Sequence, residues 1–248
     1  MWYKRSLDLS FLKSVPGPEG SYGKYTTNYS PDIKNKIKEE LGLEDDNLGI
    51  KVFHSSATPI DFFSENLALN VFGPEINNKT DLIAPTPPSA ITLANLMNQK
   101  YLITEHLGGM DWGMFLELLQ SIKTSSSYDR NTIKTLVIQN TRNSTLNKLG
   151  MIGIKWGDFG SNNIKLDEKV CERFIEQYNQ SENKRKVSTD LSHNLRILDF
   201  GWMYSLPQSE SFSKLIELKR KMQQLPQETY VVKIINTIDY IIDYNDTE

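Results

Sequence analysis

"IKWGDFGSNNIKL" (residues 154–166) and "LRILDFGWMY" (residues 195–204) each set a short apolar run against a Gly-Asp-Phe or Asp-Phe-Gly turn. In the first stretch Asp158 is followed five positions later by Asn163, and in the second Asp199 stands between an apolar run and Phe200-Gly201. Three short oxygen-bearing side chains thus emerge from loops tied to short strands. Phosphoryl transfer uses such a trio: one carboxylate orients the attacking hydroxyl or accepts its proton, while an amide and a second carboxylate hold Mg²⁺ against the phosphates. Either motif alone is a weak signal, because an isolated Asp-Phe-Gly is a common turn.

The 248 residues, 38% of them hydrophobic, are enough to bury a real core as one domain or two small lobes. A net charge of −3 and a pI near 5.7 supply no basic field for duplex nucleic acid, so nucleic acid is an unlikely partner, although Lys184-Arg185-Lys186 is a local basic run. The opening "MWYKRSLDLSFLKSV" interrupts its apolar residues with Asp8, Ser10 and Lys13 and does not read as a signal peptide. No unbroken apolar stretch is long enough to span a bilayer. A single cysteine, Cys171, excludes an internal disulfide and a multi-cysteine zinc site, which fits a reducing, cytoplasmic location. His54, His106 and His193 share no metal-ligand spacing and read as ordinary side chains.

Along the chain, "VPGPEGSYGKY" (15–25) is dense in turn formers, and a polar helix follows with Ile33, Ile37 and Leu41 on one stripe. "GIKVFHS" reads as a short strand. "TPIDFFSENLALNVFG" opens a helix with Thr58 as N-cap, Pro59 at the first helical position and Asp61 three after the cap. "LIAPTPPSA" is a proline-rich connector, "KYLITEHL" a buried strand, and "GGMDW" a turn into the apolar-striped helix "GMFLELLQSI". A further helix covers 131–149, and "MIGI" and "LRIL" read as strands feeding the two motifs. Two amphipathic helices close the chain; in the second, Val231, Ile234, Ile235, Ile238, Ile241 and Ile242 recur at helical spacing. They are suited to pack on the C-terminal part of the chain or on another chain.

In this order the motifs resemble those of the protein-kinase-like superfamily. "WGDFGSNNI" is similar to the family's catalytic loop and "ILDFG" to its metal-binding Asp-Phe-Gly. "YLITEHLGGMDW" resembles the hinge, which implies adenine recognition by backbone groups from Glu105 to Leu107, with Thr104 as gatekeeper. "GIKVF" resembles the strand-lysine motif and implies Lys51 on the nucleotide phosphates. The next helix implies its carboxylate partner, Glu65. "GSYGKY" is similar to the second half of the glycine-rich loop, with Gly20 and Gly23 near the phosphates. The resemblance runs from about residue 17 to residue 204. It implies an α+β, two-lobed kinase-like fold acting as one domain. Residues 1–106 would form a nucleotide-binding lobe of antiparallel strands plus one major helix, and residues 107–248 a reduced, mainly helical catalytic lobe. The implied cofactors are ATP and Mg²⁺, with Asp158, Lys51 and Glu65 catalytic and Asn163 and Asp199 holding the metal.

Departures from the pattern narrow the expectation. Trp156 replaces the usual histidine, Pro18 falls where the first loop glycine would stand, and 36 positions separate Asn163 from Asp199. The insert 167–194 reads as a solvated excursion. Nothing like Ala-Pro-Glu follows "DFGWMYSLP", and 47 residues remain after Gly201. The C-terminal part is therefore closer to the reduced lobe of small atypical kinases, aminoglycoside-phosphotransferase-like enzymes and lipopolysaccharide kinases. The "KVF", "ITEHL" and "DFG" wording favours a Ser/Thr protein kinase. The missing segment favours a kinase of sugars, antibiotics or lipid headgroups, and the altered glycine loop a pseudokinase scaffold for a protein partner.

Overall fold

The computed structural model describes residues 23–26, 30–41, 48–54, 56, 57, 59–85, 101–121, 127–180, 195–207, 209–227 and 229–246. Three strands make an antiparallel sheet in the order β1 (Gly23–Thr26), β2 (Leu48–Phe53), β3 (Tyr101–Glu105). β2 is central because its Ile50, Val52 and Phe53 suit a strand with neighbours on both edges. In this register Lys51 stands opposite Tyr25 and Leu102. Alternation along the strand puts Lys51 and Phe53 on one face with Leu102, and Phe53 and Leu102 enter the main core. Leu48, Ile50 and Ile103 are buried on the other face. Between β1 and β2 the chain forms the polar helix α1 (Pro31–Leu41), anchored by the fully buried Ile37.

α2 (Pro59–Lys79) starts at Pro59, as its sequence indicates, with Asp61 favourably placed in the first turn. Thr58 and Gly20 lie outside the described residues. The helix continues through Pro74, whose missing N–H leaves the Asn70 carbonyl without its helical donor. Phe63 through Leu69 are buried without a break, the polar Ser64, Glu65 and Asn66 included. Burial on every face marks a central helix, enclosed by other elements rather than lying at the surface.

The enclosing elements are the two C-terminal helices. α6 (Glu210–Gln223) and α7 (Thr229–Asp246) pack on each other and both pack on α2. Val231, Ile234, Ile238 and Ile241 of α7 are essentially inaccessible. Lys79 at the end of α2 pairs with Glu210 at the start of α6. Ser209 caps α6, its Oγ accepting from the Phe212 N–H at 3.0 Å. The apolar stripe of α7 therefore finds its partner within the chain, on the helix that carries Glu65, a choice its sequence left open.

Between β3 and α6 lie β4 (Met110–Asp111), α3 (Trp112–Ser121), α4 (Ser127–Met151), β5 (Ile154–Trp156), a 3-10 turn at Ser161–Asn163, β6 (Ile164–Leu166), α5 (Glu168–Gln180), β7 (Arg196–Ile197) and β8 (Met203–Ser205). They add two small antiparallel sheets, β4-β6-β7 and β5-β8. The expected "MIGI" strand is not formed as such: Met151 still belongs to α4, and Gly153 at φ +73° turns the chain before β5 begins at Ile154. The first half of the 167–194 insert also departs from expectation, because α5 is docked. Cys171, Phe174 and Tyr178 form a buried stripe at helical spacing, and the Phe174 ring packs edge-on to Phe115 at 5.9 Å. Burial pushes the Cys171 thiol up to about 12, so it is an inert core side chain. The fold is α+β, and most of its buried apolar residues form one continuous cluster from Phe53 through Phe115 and Phe200 to Ile238. No described helix is long and apolar enough to cross a membrane.

The docking of α7 on α2 has a direct test. Ile238→Ala is expected to cost about 2–5 kcal/mol in urea denaturation, whereas Val232→Ala on the exposed side of the same helix stays within about 0.5 kcal/mol.

Candidate active site

Facing β2, α2 presents Glu65 to Lys51. The Lys51 Nζ stands 2.6 Å from Glu65 Oε2 and 3.9 Å from Asp199 Oδ1, and 5.1 Å from the centre of the Phe53 ring. Burial pulls the Lys51 ammonium down, but the carboxylates of Glu65, Asp199 and Asp158 outweigh it and hold its pKa above the ordinary lysine value. Burial pushes the Glu65 carboxyl above its ordinary range, with Asp199 adding to the rise and Lys51 opposing it. Three segments far apart in sequence thus converge on one cation. The cleft beside it is lined by Lys51, Asp61, Glu65, Asp199 and Gly201 together with Trp202, Tyr204 and, from α7, Tyr240.

Asp158 and Asn163 lie on the loop from β5 to β6. Its turn is fixed by the Asn163 N–H donating to the Gly160 carbonyl at 3.0 Å, and the Asn163 side-chain amide donates to Asp158 Oδ2 at 3.1 Å. That donation uses the nitrogen end of the amide and leaves the carbonyl oxygen as a metal donor. The Leu198 N–H donates to the Asn163 backbone carbonyl at 2.8 Å, bringing Asp199 alongside. Asp199 has φ +61°, the only positive φ at a non-glycine among the described residues. Aspartate tolerates this conformation better than most residues, and such strain is concentrated at functional positions.

Trp156 ties the two motifs together. It is buried, its indole N–H donates to the Asp199 carbonyl at 3.3 Å, and its ring packs edge-on to Phe159 at 5.6 Å. Beside it, the Gly157 N–H donates to the Trp202 carbonyl at 2.7 Å. A Cβ at Gly157 would stand only 3.0 Å from that carbonyl, a tight contact that favours glycine where the two loops pair.

The proposed hinge residues sit at the end of β3. Thr104 and Leu107 are buried and Glu105 half-buried, with Thr104 opposite Gly49 of β2. Gly23 opens β1, paired with Phe53. The sequence carries no local signal for Arg196, which donates to the Gly108 carbonyl just past β3 and, at 2.9 Å, to Asp167 Oδ2. Nor did it reveal Tyr240, whose helix is remote from the motifs in the chain.

As a Mg²⁺ site, the donor set of one carboxylate, Asp199, and one amide, Asn163, fits. Mg²⁺ in nucleotide sites keeps few protein ligands and takes the rest from phosphate and water. No cluster of three or more His, Cys, Asp or Glu suited to an all-protein metal cage occurs among the described residues.

No protein-family description matches the chain, and no curated protein sequence does either. Among solved structures it is similar to WbdD bound to a kinase inhibitor, at 13% identity and a TM-score of 0.34, covering 79% of this chain and 42% of that one. A second WbdD structure gives 13% and 0.36 over the same shares. A third, described as a bifunctional kinase-methyltransferase, gives 12% and 0.33 over 79% and 41%. The chain spans about two fifths of the length of WbdD.

Removing the cation isolates a buried carboxylate. In Lys51→Met the folded-state pKa of Glu65 rises further, and stability from a group raised in this way is whole below its unfolded pKa, about 4.3, and lost as pH climbs through the folded value. The deficit of Lys51→Met in urea denaturation is therefore smallest near about pH 4 and grows toward about pH 8, reaching about 3–5 kcal/mol. A deficit that is constant or larger in acid contradicts this pairing.

Proposed function

We propose that this chain is a magnesium-dependent phosphotransferase of the kinase-like type, passing the γ-phosphoryl group of a nucleoside triphosphate to an alcohol. The observation that carries the reading is the meeting at Lys51 of Glu65 from α2 and Asp199 from the β7–β8 turn, with Asp158 within electrostatic reach. In this reading residues 1–106 and 107–248 are the two lobes, and the nucleotide, ATP by the resemblance, lies between them. Lys51 neutralises phosphate charge, and Glu65 holds that ammonium in place. Asn163 and Asp199 would hold Mg²⁺, which would supply positive charge to offset that developing on the transferred phosphoryl group. Asp158, exposed and steadied by the Asn163 amide, accepts a hydrogen bond from the acceptor hydroxyl and orients it for in-line attack.

The acceptor is a small-molecule hydroxyl rather than a peptide serine or threonine. After Gly201 the chain enters β8, which pairs with β5, and α6 begins at Glu210. No segment is left there to lay a peptide across the site. The Ser/Thr-kinase wording of the hinge and Asp-Phe-Gly motifs supports the nucleotide end of the site and is silent about the acceptor. A scaffold without catalysis is disfavoured by the intact set Lys51, Asp158, Asn163 and Asp199.

With γ-labelled nucleotide and a panel of sugars, aminoglycosides and lipid headgroups beside generic protein substrates, label is expected on a small hydroxyl acceptor. Asp158→Asn is expected to lower kcat by about 10²–10⁴. Undiminished transfer by that variant overturns the assignment, and label confined to protein Ser or Thr overturns the acceptor class.

A further inference from the structure

The two motif loops each carry a tryptophan, and the fold uses them in opposite ways. Trp156 is buried, with its indole N–H on the Asp199 carbonyl and its ring against Phe159. Trp202 is 39% exposed, and among the described residues its side chain makes no hydrogen bond, ring contact or cation contact. Its backbone is nonetheless fixed. The carbonyl accepts from the Gly157 N–H, and Met203 after it is buried and pairs with Trp156. A Cβ on Gly157 would stand 3.3 Å from the Trp202 Cβ, so the indole leaves the backbone beside the residue that precedes Asp158. It lines the cleft, whose empty volume is about 410 Å³, and Tyr240 of α7, also 39% exposed, lines the same space. Two large aromatic side chains from unrelated elements thus stand partly in water within one concavity.

Aromatic surface exposed in a cleft is surface that a ligand can cover, and the face of each ring also attracts a cation. The cleft already holds one cation in this way, the Lys51 ammonium 5.1 Å from the centre of the Phe53 ring. The charge of the lining favours a second: Asp61, Glu65 and Asp199 are carboxylates, against the one ammonium of Lys51. Glu65 is paired with Lys51, and Asp199 is assigned to Mg²⁺. Asp61, half-buried in the first turn of α2, has no part in the nucleotide reading. We propose that Trp202, Tyr240 and Asp61 form the acceptor seat, and that the acceptor is an alcohol carrying an ammonium group. The ammonium lies against the two aromatic side chains with Asp61 as its counter-ion, and the hydroxyl is directed to Asp158, next to Gly157. An uncharged alcohol would gain from neither the ring faces nor the carboxylate in this way. This deepens the small-molecule reading of the acceptor and rests on it.

Titration calorimetry on the whole chain, saturated with Mg-ADP so that no transfer occurs, tests it with two matched pairs of probes. Glucosamine is compared with glucose, and choline with its uncharged carbon analogue. In at least one pair the cationic member is expected to bind about tenfold more tightly than the neutral one. Trp202→Leu and Asp61→Asn are each expected to lose that preference while keeping the unliganded Tm and the affinity for Mg-ADP, and Trp202→Phe, which restores a ring face, to retain part of it. Neutral probes that bind as tightly as the cationic ones in both pairs, no binding of either cation to a chain that binds Mg-ADP, or a preference unchanged in Trp202→Leu overturns the proposal. A wild type that binds no Mg-ADP removes the nucleotide reading itself, and this proposal with it.

Discussion

The ion pair between Lys51 and Glu65 constrains everything around it. Two opposite charges this deeply enclosed lose much hydration, and their mutual attraction does not guarantee a net gain in stability. Their 2.6 Å contact persists because rigid elements hold both ends. β2 is fixed by strands on both sides, and α2 is wedged between that sheet and the helices α6 and α7. The isoleucine stripe of α7 thus acts at a distance on a charged site it does not contain, by setting where Glu65 stands. Tyr240 of the same helix reaches the cleft itself, so the C-terminal helix is part of the site's architecture rather than an appendage.

A second constraint gathers the residues of the two motif loops. Asp158, Asn163 and Asp199 come from two short loops that neither sheet could hold firmly alone, since β5, β6, β7 and β8 are only two or three residues long. Cross-links do the holding. The Trp156 indole on the Asp199 carbonyl, the Gly157 N–H on Trp202 and the Leu198 N–H on Asn163 join the loops at successive points. Trp156 is buried, and its single donor reaches the loop that carries Asp199. The positive φ of Asp199 is sustained by this network.

Much of this was legible in the sequence, and the rest was not for identifiable reasons. Asp158 and Asn163 could be read because their spacing is local, Asp199 because its Asp-Phe-Gly turn is, and Lys51 and Glu65 because each lies on a strand or helix with a clear start. Pro59 marked the start of α2, and the stripe of α7 marked a helix, but periodicity names an apolar face without naming its partner. The described first half of the insert 167–194 reads as solvated because its charged residues outnumber the three, Cys171, Phe174 and Tyr178, that dock α5. Gly153 hid the end of α4, since a glycine inside an apolar run is equally compatible with a strand. Arg196 acquires meaning only from the β4-β6-β7 register, which pairs it with Lys165 about 30 positions away and leaves no local trace.

The account stands or falls on a nucleotide held through magnesium between Lys51 and Asp199. Thermal unfolding of wild type and Asp199→Asn, with and without Mg²⁺, ATP and GTP, tests it most directly; asparagine keeps the tolerance for positive φ while removing the charge. Nucleotide at about 100 times its Kd is expected to stabilise the wild type by about 2.7 kcal/mol. That gain should require magnesium and vanish in the variant. A wild-type Tm that neither nucleotide raises, or a rise equally large in Asp199→Asn, contradicts the account.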